Sequence, residues 1–230
     1  HVNYQYHSCR DRQCPQCGAG KKQELIEART AELLPVKYYH VVFTIPHQLN
    51  ILVMGHRSAL YKLLFDVSSK TLLTFAADPK YLAATPGISS VLHTWGQALT
   101  HHPHLHFLVP GGGIASDGKS WIPCRHRYFL PVQVLSSLFR GLFLHYLDKA
   151  FGAGELNFFS AYRQLHEPAA FRRHLAPAYN AKWVVYTKRP FAGPAQVLDY
   201  VGRYTHRVAI SNNRLVSVDN GKVRFRWKDY

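Results

Sequence analysis

The sequence predicts an α+β fold: an antiparallel central sheet with helices packed on it, plus a small module at the N-terminus. Three observations predict it. Runs of β-branched and aromatic residues at 38–46, 88–96, 103–110 and 182–190 alternate with stretches of helical spacing. Some of these runs are joined by short polar or turn-forming links, as antiparallel hairpins are. The glycine fingerprint of a parallel nucleotide-binding sheet is missing, because GGGIASDGK (111–119) lacks the Gly-Lys-Ser/Thr ending of a phosphate loop.

The elements follow in order. HVNYQYHSCRDRQCPQCGAGKK is polar, basic and turn-rich, and it leads into KKQELIEARTAELL, a helical pattern that Pro35 ends. YYHVVFTIP (38–46), bounded by prolines, predicts a buried strand. Leu52, Leu60, Leu63, Leu64 and Leu72 space residues 50–76 as helices. ISSVLHTWG (88–96) and PHLHFLVP (103–110) predict an antiparallel pair, and Gly111, Gly112 and Gly113 predict a loop after it. Residues 131–151 form an amphipathic pattern opened by Pro131, and 158–178 is a weaker helical stretch. KWVVYTKRP (182–190) predicts a strand and PAQVLDYVGRYTHRVA (194–209) a helix with Pro194 in its first turn. The tail alternates about Asn220-Gly221, a hairpin signal. The expected domains are residues 1–30 and 31–230. The chain stops directly after a strand-like run, as a piece of a longer protein would.

With 47% hydrophobic residues the chain can build a core. Lys and Arg number 28 against 13 Asp and Glu, a formal charge of +15 that points to a polyanionic partner through phosphate neutralisation. No apolar run approaches the roughly 20 residues of a spanning helix, and no secretory signal opens the chain, so the cytoplasm is the expected compartment. Cys9, Cys14 and Cys17 crowd together while Cys124 stands apart. Close cysteine spacing without a secretion signal reads as metal binding rather than as disulfides.

Five of the fifteen histidines, His93, His101, His102, His104 and His106, fall within a short stretch. On a strand side chains alternate, so His104 and His106 project to one face with Leu105 behind them. Two imidazoles so placed can reach one divalent cation, and His93 on the partner strand can lie opposite them. Three nitrogens leave positions open for a phosphate oxygen, as catalysis requires. Tyr200 and Tyr204 stand four apart in the predicted helix, hence on one face, among Arg203, His206 and Arg207. Lys188 and Arg189 add a basic pair at the end of the preceding strand. A phenol of pKa near 10 needs a cation or base to attack phosphorus.

At HHPHLHFLVPGGG the sequence resembles the HUH nucleases, with two histidines flanking a hydrophobic residue on a strand and tyrosine on a separate helix. LLPVKYYHVVFTIPHQLN, LHTWGQALTHHPHLHFLVPGGG and YVGRYTHRVAIS together resemble the two-tyrosine rolling-circle transposases of the "IS ninety-one" family, in the family's order. The resemblance implies a bacterial protein that nicks and rejoins single-stranded DNA, the 5′ end held on tyrosine. It places the histidine pair on His104 and His106, with Mg²⁺ or Mn²⁺ there, and the nucleophiles on Tyr200 and Tyr204. Related relaxases carry a third histidine on the preceding strand, where His93 stands; Gln97 and His102 are alternatives. The family also begins with a cysteine-rich zinc module, whose second half SCRDRQCPQCG matches. Zn²⁺ would then be held by Cys9, Cys14 and Cys17, with His1, His7 or an upstream cysteine as fourth ligand. A replication initiator or relaxase would share this chemistry. A zinc-finger DNA-binding protein would leave the histidines idle, and a metal-dependent hydrolase would leave the tyrosines idle.

Overall fold

The structure is a computed structural model that describes residues 23–24, 26–28, 30–96, 98–124, 131–188, 196–197 and 212–227. Along the chain its elements are β1 (Tyr38–Thr44), α1 (Asn50–Gly55), α2 (Arg57–Ala77), β2 (Ser89–Trp95), β3 (His101–Pro110), β4 (Gly112–Ile114), β5 (Trp121–Pro123), α3 (Val132–Gly152), α4 (Pro168–Asn180), β6 (Val184–Lys188), β7 (Leu215–Asp219) and β8 (Lys222–Phe225). The chain divides into two compact units. The larger, Tyr38–Thr94 with His101–Pro190, holds a four-stranded sheet of order β2-β3-β1-β6. β1 pairs antiparallel with both β3 and β6, so the antiparallel α+β expectation holds.

Alternation along the strands gives the sheet two unlike faces. Val41 and Phe43 of β1 and Leu105, Phe107 and Val109 of β3 are fully buried on one face. There they meet α3: the Phe139 ring lies 4.9 Å from Phe43 in an edge-on contact and 5.2 Å from Trp183. Helix α3 also packs on α2, whose Leu60, Leu64 and Leu72 join the same core. The opposite face carries His40 of β1, His104 and His106 of β3, and Tyr186 and Lys188 of β6, which cross-strand pairing places side by side. Pro103 lies outside the stretch of β3 paired with β1, so its missing N–H removes no bond from that ladder.

The glycine run departs from expectation. Gly112 and Gly113 do not form a loop but open β4, which pairs with β5 and is tied to Thr85 by backbone bonds of 2.8 and 2.9 Å with Ile114. Glycine is required there for close approach rather than flexibility. A Cβ on Gly112 would sit 2.5 Å from the Trp121 ring, and one on Gly113 would sit 2.7 Å from the Thr85 carbonyl. The weak helical stretch 158–178 also resolves differently, as a 3₁₀ segment at Ser160–His166 followed by α4 with Pro168 in its first turn. The other compact unit contains, among its described residues, helical positions within 23–32 and the β7–β8 hairpin. Asn220 and Gly221 turn that hairpin with φ of 50° and 73°, both in the left-handed region a two-residue type I′ turn needs.

Candidate metal centre

The structure brings His93, His104 and His106 together. Their candidate ligand nitrogens all lie within 4.8 Å of one another. Ring centroids are 4.5 Å apart for His93 and His106, 4.8 Å for His104 and His106, and 5.4 Å for His93 and His104. Imidazole nitrogens this close together can share one first-row cation, which imidazole binds at ~2.1 Å, so the donor set fits a metal ion. Among the described residues this is the only grouping of three or more histidine, cysteine, aspartate or glutamate side chains placed to share an ion. An imidazole ligates only in its neutral form, so a dication held by these three would keep its full charge for an anionic ligand. Imidazole donors also suit transition cations better than Mg²⁺.

Each β3 ligand is oriented through its second ring nitrogen. His104 Nδ1 lies 2.6 Å from the His102 carbonyl oxygen. A carbonyl only accepts, so Nδ1 carries the proton and Nε2 presents its lone pair. His106 Nδ1 lies 2.9 Å from His40 Nε2, with the two rings within 7° of coplanar. His40 is the residue that sequence reasoning missed. Burial first, then the charge of Lys188 and that of His104 when it is protonated, push its pKa down to about 4, so it is a neutral imidazole at pH 7. A single histidine inside the apolar run YYHVVFT was the available signal, since a buried imidazole requires a polar partner. His93 and His40 are almost as buried as the apolar core, at 2% and 5% exposure.

Lys188 stands directly across the sheet from His40, exposed, so the structure brings this basic residue to the histidine face. His102 contributes its carbonyl and lies outside the ligand grouping; His101 turns to the helix side, 3.2 Å from the Tyr61 hydroxyl. Cys124 is a half-buried free thiol, its pKa pushed up to about 12 by burial, and takes no part in the cluster. Cys9, Cys14, Cys17, His1, His7, Gln97, Arg189, Tyr200, Arg203, Tyr204, His206 and Arg207 lie outside the described residues.

Fold and site together define an α+β protein with a cluster of three histidines, able to hold a cation, on one face of an antiparallel sheet. Comparison with known proteins is consistent with that class and more specific. Residues 87–230 match the family described as "Putative transposase", and residues 1–45 match the "Transposase zinc-binding domain". The chain is similar to "Putative transposase y4qJ" of Sinorhizobium fredii (strain NBRC 101917 / NGR234), with 57% identity over 230 residues covering 100% of this chain and 58% of the relative. It is also similar to "Transposase for insertion sequence element IS801" of Pseudomonas savastanoi pv. phaseolicola, with 28% identity over 234 residues covering 100% of this chain and 54% of the relative. The chain thus spans somewhat more than half the length of these curated relatives. Among solved structures, "Conjugative Relaxase Trwc In Complex With Orit DNA. Metal-Bound Structure" aligns with a TM-score of 0.37 and 12% identity, covering 75% of this chain and 72% of that one. The chain belongs to the transposase family whose model it matches, in line with the motif blocks of its sequence. No helix among the described residues is long and apolar enough to cross a membrane.

Proposed function

We propose that this chain carries the catalytic centre of a transposase that nicks and rejoins single-stranded DNA through a 5′-phosphotyrosine intermediate in rolling-circle transposition. The observation that carries the reading is the convergence of His93, His104 and His106 on one sheet face in a chain of this family. These three residues would hold a divalent cation, Mn²⁺ or Mg²⁺, which when bound polarises a phosphodiester oxygen. Tyr200 or Tyr204 attacks phosphorus; the P–O bond to the 3′ oxygen breaks, and that oxygen takes up a proton while the phenol loses one. The tyrosine ester preserves the energy of the broken bond, so a free 3′-hydroxyl can reverse the step. Lys188 and Arg189, with Arg203, His206 and Arg207, hold backbone phosphates. The single-strand assignment draws on the motif resemblance and on the net charge of +15.

The test is a covalent adduct. Labelled single-stranded DNA with Mn²⁺ should yield a protein–DNA species on a denaturing gel. The variant Tyr200→Phe/Tyr204→Phe, which lacks only two oxygens, should lose it completely. Undiminished cleavage by that variant would mean water is the nucleophile and would overturn the mechanism.

For the N-terminal module we propose that Cys9, Cys14 and Cys17 hold a structural Zn²⁺, closed to substrate, that folds residues 1–30 and docks DNA. Purified protein should retain zinc through mild dialysis, and Cys14→Ser with Cys17→Ser should release it and increase protease cutting within residues 1–30. Metal analysis that finds the same zinc content in the double variant would reject this assignment.

A further inference from the structure

We propose that His40 is a positioning residue that selects the nitrogen His106 offers to the cation, so that metal affinity depends on the direction of one buried hydrogen bond. The inference rests on the histidine triad being a cation site. His40 Nε2 and His106 Nδ1 are 2.9 Å apart in nearly coplanar rings, and the residues are 5% and 9% exposed. That geometry accommodates one proton in either of two ways. If His106 Nδ1 donates to His40 Nε2, the lone pair of His106 Nε2 is available for a metal. If His40 Nε2 donates to His106 Nδ1, a neutral His106 carries its proton on Nε2 and cannot ligate there. A cation bound through His106 Nε2 therefore requires His40 to be the acceptor, with its own proton on Nδ1.

His104 has no such choice, because its Nδ1 faces a carbonyl oxygen. The two β3 ligands thus differ: one is preset by the backbone, and the other is set by a side chain on a neighbouring strand. Burial of both rings leaves little room for solvent to replace His40 as acceptor. Substituting His40 should then weaken metal binding even where the fold survives.

The experiment is Mn²⁺ titration calorimetry on protein carrying one zinc per chain, with the histidine site stripped by a mild chelator, comparing the unaltered protein, His40→Leu and His40→Gln, with a thermal melt of each. Mn²⁺ is chosen because it competes poorly for a filled thiolate site. His40→Leu should lower Mn²⁺ affinity by about 10- to 100-fold, the range for loss of a ligand's supporting hydrogen bond. His40→Gln, whose side-chain carbonyl accepts, should recover most of that loss. The recovery should appear in metal affinity whether or not the melting temperatures differ, which a purely structural role does not predict. His40→Leu binding within about twofold of the unaltered protein, or a folded His40→Gln binding no better than His40→Leu, overturns the proposal. Nitrogen-15 NMR of the unaltered Zn²⁺-saturated protein gives a second measurement should a variant not fold. It should show a protonated Nδ1 on His106 and an unprotonated Nε2 on His40; the reverse pattern also overturns the proposal. Failure of the unaltered protein to bind Mn²⁺ at the histidines would instead overturn the site reading itself.

Discussion

His104→Ala and His106→Ala should each reduce nicking of single-stranded DNA by about 100- to 1,000-fold, the loss expected when a preorganised electrostatic contact to the reacting phosphate is removed. Affinity for the strand should change by only a few-fold, because the surplus of Lys and Arg, rather than the histidines, would neutralise its phosphates. The two losses should not multiply in the double variant, since either change alone disables the same ion. His93→Ala should be milder. Two oriented nitrogens remain in that variant, and raising Mn²⁺ should restore part of the activity. Paired measurements of adduct formation and of strand binding against Mn²⁺ concentration separate the cases. A His104→Ala protein that nicks at the unaltered rate would remove the histidine centre from the chemistry.

The largest expected effect on stability is at Phe139. It is fully buried and touches Phe43 on the sheet, Phe143 on its own helix and Trp183 ahead of β6. Phe139→Ala removes the ring that joins α3 to the sheet and leaves a cavity that three neighbouring aromatics cannot readily fill. The expected cost is about 3–5 kcal/mol, a large share of a typical domain's stability. Chemical denaturation should show the midpoint falling, with the histidine face disturbed only through loss of the folded population. A midpoint shift equivalent to less than about 1 kcal/mol would mean the aromatic contacts are not a principal support of this layer.

The legible parts of the molecule are those governed by local spacing. The period of two in HHPHLHFLVP is enough to put His104 and His106 on one strand face, and Asn220-Gly221 specifies its turn by backbone chirality alone. What stays hidden depends on partners distant in sequence. His40 meets His106 only because β1 adds to β3 in one register, a pairing that no local pattern in YYHVVFT reveals. Gly112 and Gly113 read as a break for the same reason. Their neighbours, Trp121 and Thr85, come from outside the run, and only the assembled fold shows that a side chain would collide with them.

Because β3 alternates between histidines on one side and Leu105, Phe107 and Val109 on the other, a shift of its pairing by one residue would exchange the two sets. Imidazoles would enter the apolar layer and phenylalanine would take the place of a metal ligand. A single-codon insertion or deletion within the paired part of this strand should therefore abolish fold and chemistry together. Replacement of a single residue leaves that register in place. Point substitution at His104 or His106 is therefore the route that probes the centre without disturbing the pairing of its strand.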